Sequence, residues 1–316
     1  MNKESKIFVA GHTGLVGSAM KRKLDSEGYG NLVVCSYPDI DLTRQQEVED
    51  FISRERPDVI FLCAAKVGGI LANSTYPAEF IYQNIMIAAN VIHAAYKHGV
   101  KKLLNLGSSC IYPKLATQPL REDSLLTGRL EPTNEPYAIA KIAAIKMCNS
   151  YNKQYGTNYI SVMPTNLYGP FDNFNLETSH VMPALIRKFH EAKKEGKPSV
   201  TLWGTGSPKR EFLYVDDLAG ACVFLMGRYD ASSIGEFVNI GTGRDMTIRE
   251  LAEAVKVIVG YQGEVQWDTS KPDGTPQKLL DVGRIEGLGW KAMVSLREGI
   301  QYTYSWYLQN FASSQG

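Results

Sequence analysis

The feature that most constrains the fold is a glycine-rich turn between an apolar run and a helical pattern. Residues 7–10 are apolar, and Gly11, Gly14 and Gly17 follow at intervals of three. A strand, a glycine turn and a helix in this order are typical of a site for a dinucleotide pyrophosphate. Gly11 permits the tight turn, Gly14 lets the backbone approach the phosphates, and Gly17 lets the helix pack on the strand.

Further apolar runs predict how the chain continues. Residues 32–36, 59–63, 102–106 and 158–163 alternate with helical patterns. This alternation predicts an α/β fold with a doubly wound parallel Rossmann sheet. Ligands bind at the carboxyl ends of such strands, and Gly11, Ala64 and Ser108 all follow strand ends. We expect residues 1–164 with about 212–240 to form the NADP-binding Rossmann domain. About 165–211 with 241–316 would form a smaller, discontinuous C-terminal substrate-binding domain.

The composition argues against several partners. The 316 residues carry a net charge of +1, so we expect neither a nucleic-acid nor a membrane-surface partner. No apolar run reaches ~18 residues. The five cysteines are odd in number and scattered, which favours reduced thiols in a cytoplasm over disulfides or a metal site. We see no signal-peptide pattern and therefore expect a cytoplasmic protein.

A tyrosine and a lysine form the candidate catalytic pair. Tyr137 and Lys141 are four residues apart and share one face of a helix. Lowering the pKa of a tyrosine from ~10 to about 7 needs roughly 4 kcal/mol. The lysine charge and a helix start at Asn134 and Pro136 supply part of this. With the hydroxyl of Ser108, the pair suits hydride and proton transfer at a carbonyl. The spacing alone equally fits a half-buried tyrosine over a solvated lysine.

The end of the second strand bears on the cofactor type. No acidic residue stands there, only Ser36 and Tyr37, and this absence favours NADP over NAD. We assign Asp41 to the cofactor site, and Asp41 or Thr43 would cap the helix that follows. Further on, residues 203–211 form a glycine-rich stretch with an indole and two cations. It suits a nucleotide base and a diphosphate, or it is an ordinary surface loop.

Several motifs together resemble a known family. They are the glycine turn, Ser108, Tyr137 with Lys141, and the Arg-Glu-Phe-x-x-Val-Asp-Asp motif at residues 210–217. This set resembles the extended short-chain dehydrogenase/reductase family, which acts on nucleotide sugars. Residues 64–70, 107–113, 131–138, 163–170 and 271–276 resemble its branch that converts GDP-4-keto-6-deoxymannose to GDP-L-fucose. The likeness runs from about residue 6 to 308 and implies NADPH, a GDP-sugar substrate and a homodimer.

The resemblance implies roles for individual residues. Tyr137 would give a proton to the C4 oxygen, Lys141 would hold the nicotinamide ribose and lower the pKa of Tyr137, and Ser108 would bind substrate. Cys110 and His180 would be the acid and base that epimerise C3 and C5. The implied cofactor-binding residues are Gly11, His12, Thr13, Gly14, Leu15, Val16, Gly17, Asp41, Leu106, Gly107, Ser108, Ser109, Lys141, Pro164, Thr165, Asn166, Leu167 and His180. The implied substrate-binding residues are Arg187, Trp203, Arg210, Asp273 and Lys278.

The residue chemistry agrees with such a reaction. A C4 ketone acidifies the hydrogens at C3 and C5, and groups that titrate near neutrality serve best to move them. Thiols titrate near ~8.5 and imidazoles near ~6.5. A hydroxyl pair from Tyr137 and Ser108 would stabilise the enolate oxygen. Cys110 also fits a small buried side chain, and His180 a helix cap. Other readings are a nucleotide-sugar dehydratase or 4-epimerase, or a non-catalytic NADP-sensing protein.

Overall fold

The computed structural model describes residues 1–271 and 273–312. The strands are β1 Ile7–Ala10, β2 Leu32–Val33, β3 Val59–Leu62, β4 Lys102–Leu106, β5 Tyr159–Pro164, β6 Asn166–Tyr168, β7 Ser199–Trp203, β8 Lys209–Tyr214, β9 Val238–Ile240, β10 Asp245–Thr247, β11 Glu264–Asp268 and β12 Gln277–Lys278. The helices are α1 Leu15–Ser26, α2 Gln45–Glu55, α3 Ile70–Thr75, α4 Pro77–Lys97, α5 Glu135–Tyr155, α6 Val181–Lys194, α7 Val215–Arg228, α8 Ala231–Ile234, α9 Ile248–Val259, α10 Gly283–Gly287 and α11 Leu296–Asn310. Short 3-10 turns cover Ser109–Ile111, Glu122–Ser124 and Pro132–Asn134.

A parallel sheet of six strands forms the larger half. Its order is β2-β1-β3-β4-β5-β9, and every neighbouring pair is parallel. Strands β1, β3, β4, β5 and β9 are buried along their whole length because helices cover both faces. Helices α1 and α7 pack on one face, whereas α2, α4 and α5 pack on the other. The predicted doubly wound parallel sheet is confirmed.

The smaller half has its own sheets and core. Strands β6, β10 and β12 all pair with β8, and β7 pairs with β11. Helices α6, α9 and α11 supply most of the core beside them. We expected residues 212–240 to belong to the Rossmann domain; β9 joins the main sheet, whereas β8, which ends at Tyr214, pairs within the smaller half. β6 lies one residue beyond β5 and pairs with β8 in the smaller half. The chain returns from β8 to the main sheet through α7. Residue 272, within the 271–276 block, and residues 313–316 of the expected second domain lie outside the described residues.

One helix start differs from the predicted one. Helix α2 begins at Gln45, because the Asp41 carboxylate accepts hydrogen bonds from the backbone N and the Oγ1 of Thr43, at 2.9 and 2.7 Å, and forms a separate turn. Neither residue caps the helix. His180 occupies the N-cap of α6, as one of its two sequence interpretations allowed, but its side chain makes no capping hydrogen bond. Helix α5 does begin after Asn134, with Pro136 in its first turn. Among the described residues, no helix has both the length and the apolar character needed to cross a membrane.

Candidate active site

The glycine turn after β1 is tightly packed against the neighbouring strand's end. Gly11 has a φ of +83°, and a Cβ there would lie 2.8 Å from the Cα of Ala64. A Cβ on Gly17 would lie 2.0 Å from the carbonyl oxygen of Gly11. Neither position has room for a side chain, so the start of α1 stays pressed on the turn. The roles expected of Gly11 and Gly17 from the sequence follow from these contacts.

The same turn presents groups that fit a diphosphate. Gly14 is the N-cap of α1, where no side chain caps the helix and no acidic residue occupies the first turn. The positive end of the helix is therefore open to an anion. The Nδ1 atom of His12 is buried without a hydrogen-bond partner. A close-packed turn, an open helix start and an orphaned ring nitrogen together fit the diphosphate of a dinucleotide cofactor.

A cavity of about 440 Å³ opens beside the carboxyl end of the main sheet. Its walls come from both halves of the fold. It brings together Ser108, Ser109, Cys110, Tyr137, Asn166, Leu167, His180, Trp203, Arg210, Asp273 and Lys278 from among the predicted site residues. Only strand β3 separates β1 from β4. At ~4.8 Å per strand, the glycine turn and Ser108 lie about 10 Å apart across the sheet edge.

The side chains of Ser108, Cys110 and Tyr137 form the chemical centre of the cavity. Ser108 ends the segment after β4, and its Oγ accepts a hydrogen bond from the backbone N of Cys110 at 3.4 Å. Burial raises the pKa of the Tyr137 hydroxyl; the nearby Cys110 adds to this and a hydrogen bond with Ser108 opposes it. Tyr137 is therefore protonated at neutral pH. This state suits a proton donor.

Lys141 is buried beneath the tyrosine. Its Nζ lies 5.7 Å from the centre of the Tyr137 ring and donates a hydrogen bond to the carbonyl oxygen of Leu106 at 2.8 Å. Burial lowers the pKa of Lys141 to about 8. The sequence led us to expect a lowered pKa for Tyr137, and the structure differs because burial dominates both groups. The lysine charge points at the end of β4 as much as at the phenol.

Cys110 and His180 face the same cavity. Burial raises the pKa of the Cys110 thiol, and the positive charge of Lys278 opposes this rise. His180 is solvent-accessible through the cavity, but protein atoms enclose its other sides, and this burial lowers the pKa of its imidazole. The imidazole is therefore neutral at pH 7 and able to accept a proton. A thiol and a neutral imidazole suit proton removal and return at carbon.

Two cations from the small sheet line the cavity. Arg210 on β8 pairs with Lys278 on β12, so both side chains rise from the same face of the small sheet. Burial lowers the pKa of each, while the carboxylate of Glu131 favours their charged forms. Asp273 also lines the cavity, but its carboxylate accepts from the backbone N and the Oγ1 of Thr205 at 2.7 and 2.8 Å. It thus holds the loop after Trp203 as well as facing ligand space.

Arg187, a predicted substrate-binding residue, does not reach this cavity. Its Nε forms an ion pair with Glu191 at 2.6 Å, and its Nη1 donates to the carbonyl oxygen of Phe174. The next residue, Lys188, lines the cavity instead, with its Nζ 6.0 Å from the centre of the Trp203 ring. One residue turns a helix by ~100°, so the two side chains leave α6 in different directions.

The helical pattern already contained the signal for Lys188. Val181, Ala184, Leu185 and Lys188 are spaced as one face of a helix, and all four line the cavity. Glu131 and Asn134 also line the cavity, and neither was predicted to do so. Glu131 is buried and pairs with Lys114 at 2.9 Å. The sequence signal for Glu131 was its position just before α5, the helix that carries Tyr137.

The remaining predicted cofactor residues lie around the sheet edge rather than in the cavity wall. A Cβ on Gly107 would meet the Sδ of Met163 at 2.4 Å, and the Oγ1 of Thr165 donates to the carbonyl oxygen of Glu211 at 3.2 Å. Pro164 pairs with Ile240 in the sheet. Asp41 forms the local turn described above. Among the described residues, no cluster of acidic, histidine or cysteine side chains could hold a metal.

Comparison with known proteins gives consistent matches. Residues 7–241 match the NAD dependent epimerase/dehydratase family. GDP-L-fucose synthase 1 of Arabidopsis thaliana is 62% identical, over 98% of this chain and 95% of that protein. The solved GDP-mannoheptose C4 reductase of Campylobacter jejuni with NADP bound is 42% identical, with a TM-score of 0.90 over 98% of this chain and 99% of that one. The NADP-bound GDP-L-fucose synthetase of Naegleria fowleri is 28% identical, with a TM-score of 0.91 over 99% and 95%.

Proposed function

Because the chain belongs to the NAD dependent epimerase/dehydratase family, we propose that it converts GDP-4-keto-6-deoxy-D-mannose to GDP-L-fucose by C3/C5 epimerisation and reduction of the C4 ketone. It is an NADP-dependent oxidoreductase with epimerase activity. A 62% identical GDP-L-fucose synthase and two NADP-bound structural neighbours support this assignment. The observation that carries it is the single cavity shared by Ser108, Tyr137, Cys110 and His180.

The cofactor fits the edge of the main sheet. The glycine turn and the open start of α1 would hold the diphosphate, and Lys141 would hold the nicotinamide ribose beneath Tyr137. Bound NADPH supplies the hydride for the C4 carbon. The chain's own contribution is to hold the sugar ring against this edge. Both halves of the fold do so, because both line the cavity.

The reduction needs a proton at the C4 oxygen. The hydroxyl of Tyr137 is protonated at neutral pH, and it lies beside Ser108, whose hydroxyl would position the same oxygen. Lys141 lies one helical turn away, and burial lowers its pKa to about 8. Its ammonium would therefore replace the proton that Tyr137 gives up. The same two hydroxyls would stabilise the enolate oxygen that forms when C3 or C5 loses its hydrogen.

The epimerisation needs a base and an acid that act at C3 and C5, the carbons next to the C4 carbonyl. A base takes the hydrogen from C3 or C5 as a proton, the electron pair passes into the C4 carbonyl, and an acid returns a proton to the opposite face. We assign these tasks to Cys110 and His180. They come from different elements, the turn after β4 and the N-cap of α6, and both face the cavity. An acid and a base on separate elements can act on opposite faces of a ring held between them, as inversion requires.

The cations in the cavity wall fit the GDP portion. Arg210, Lys278 and Lys188 would contact the diphosphate, and Trp203 offers an exposed indole face to a base. Asp273 would serve mainly by fixing the loop after Trp203. Arg187 has no place in this proposal, since it pairs with Glu191 outside the cavity.

We propose that two copies of the chain associate through α4 and α5. Their outer face carries Tyr82, Tyr96, Ile139 and Tyr155, which are 60, 37, 41 and 45% exposed. Tyr96 and Tyr155 stack with ring centres 4.2 Å apart. A sedimentation mass near twice 35.1 kDa would support the dimer, and a mass of one chain would refute it. The five unpaired cysteines support a reducing, cytoplasmic location.

The decisive experiment is incubation with GDP-4-keto-6-deoxy-D-mannose and NADPH. We expect NADPH absorbance to fall and the product sugar to be identified as L-fucose attached to GDP. Tyr137→Phe should lose most of the turnover while still binding NADPH. A chain that binds NADPH but consumes none with this substrate would overturn the proposal in favour of a cofactor-sensing protein.

A further inference from the structure

The loop that carries His180 is built from hydrogen bonds among its own residues. The Oδ1 of Asn173 accepts from the backbone N of Asn175, and the Oδ1 of Asn175 accepts from the backbone N of Glu177 and Thr178. The Nδ2 of Asn173 donates to the Oγ1 of Thr178 at 2.9 Å. These contacts fix the loop internally. They do not fix the position of the loop relative to the rest of the cavity.

The loop touches the main-sheet half at Gly69, just before α3. The backbone N of Gly69 donates to the carbonyl oxygen of Thr178 at 2.9 Å. A Cβ on Gly69 would lie 2.6 Å from the carbonyl oxygen of Ser179. This carbonyl belongs to the peptide bond that joins Ser179 to His180, so the close approach lies immediately before His180. The φ of Gly69 is −66°, which any residue adopts, so close approach rather than backbone strain requires the glycine here.

The segment under the loop is itself held in place. The Nδ2 of Asn73 donates to the carbonyl oxygens of Gly68 and Gly69, at 2.8 and 3.0 Å. The Oδ1 of Asn84 accepts from the backbone N of Lys66, and its Nδ2 donates to the carbonyl oxygen of the same residue, both at 3.0 Å. Asn73 and Asn84 are buried. The segment follows β3 directly, so its position is set by the main sheet.

We propose that Gly69 is a positioning residue for His180, and that its contact with residues 178 and 179 sets where the imidazole meets the sugar ring. This inference rests on the proposed function. Reduction at C4 depends on Tyr137 and Ser108, which Gly69 does not hold. Loss of the contact should therefore separate the two reactions of the site, impairing epimerisation and sparing reduction.

The test is Gly69→Ala, assayed for two reactions on the same substrate. Exchange of the C3 and C5 hydrogens with deuterated water measures proton removal, and NADPH consumption measures reduction. We expect total exchange to fall at least tenfold while NADPH consumption changes by less than about threefold. A reduced sugar that is not fully inverted should accumulate. Gly30→Ala is the matched control, because a Cβ there meets nothing within 4 Å.

A second variant guards against misfolding. Asn173→Ala removes an exposed side chain from the same loop and should lower exchange selectively, by a smaller factor. The pH dependence gives an independent readout, since a displaced imidazole should titrate closer to its ordinary value. Equal loss of exchange and reduction in Gly69→Ala, or undiminished exchange, would overturn the inference. A parent chain that forms no GDP-L-fucose would instead overturn the proposed function.

Discussion

Arg210 and Lys278 lie directly opposite each other on the parallel strands β8 and β12. Paired residues of neighbouring strands point to the same face at a spacing of ~5 Å, so two cations rise together into the cavity. The charge of Lys278 also acts on Cys110, where it opposes the rise in thiol pKa that burial causes. One strand pair thus supplies charge to the cavity and to the thiol, and under the proposed function the same charges would meet the nucleotide.

We predict that Lys278→Met raises the pKa of Cys110. Removal of the ammonium takes away the largest of the effects that oppose burial, so the pH at which iodoacetamide alkylates Cys110 should rise. Peptide mapping by mass spectrometry separates Cys110 from the other four cysteines. Arg210→Met is the matched control, because it removes the neighbouring cation, which is not among the charges that act on Cys110. An unchanged alkylation profile in Lys278→Met would contradict the prediction.

Cys110→Ser should lose epimerisation and keep cofactor binding. A serine hydroxyl is a far weaker acid than a thiol, so we expect exchange at C3 and C5 to fall about a hundredfold or more. The affinity for NADPH, measured by fluorescence titration, should stay within twofold. Full-rate exchange in the variant would remove Cys110 from the mechanism.

Lys188→Ala should weaken binding of the GDP-sugar. Lys188 lines the cavity beside Trp203, and loss of one phosphate contact of about 1.4 kcal/mol corresponds to a tenfold rise in KM. Arg187→Ala is the adjacent control and should leave KM near the parent value. Steady-state kinetics of both variants decide the matter. The reverse result would mean that the α6 register described above is wrong.

Glu211→Ala should destabilise the fold. Glu211 is fully buried, and its carboxylate accepts from the backbone N of Thr242, Gly243 and Leu280. The Leu280 donor is buried and loses its partner at ~1–3 kcal/mol, whereas the more accessible Thr242 and Gly243 donors lose less each, so the free energy of unfolding should fall by about 3–5 kcal/mol. Urea denaturation measures this. The exposed Glu253 of α9, changed to Ala, should cost less than about 0.5 kcal/mol.

Asp172 should make stability depend on pH. Burial raises its pKa from 3.8 to about 7, and its Oδ2 is buried without a partner. Between these values the folded protein holds a proton that the unfolded chain releases, so the free energy of unfolding falls as pH rises through this window. Asp172→Asn should remove that part of the fall. At pH 8 the variant should be more stable by on the order of 1–3 kcal/mol, and near pH 4 the gain should largely vanish. Equal stability at pH 8 would contradict this.

The sequence predicted what local pattern controls. The apolar run, the glycine spacing and the Tyr137–Lys141 interval are local, and the structure places them on β1, α1 and α5 as expected. It did not predict the start of α2, because the Asp41 carboxylate competes with the helix for the Thr43 amide. It did not predict that Glu211 is buried, since the three amides that bind it come from distant segments. Lys188 rather than Arg187 lines the cavity because of the rotation of α6. An error of one residue in the helix register is enough to select the wrong side chain.

Strands β5 and β6 belong to different sheets, yet only Thr165 separates them. Its backbone N donates to Ile240 and its Oγ1 to Glu211, so this crossing is bonded to both halves. A connection this short, with hydrogen bonds to both halves, leaves little freedom for a hinge motion of one half relative to the other. Nucleotide sugars should therefore enter and leave through movement of peripheral loops, and engineering of turnover should begin at those loops.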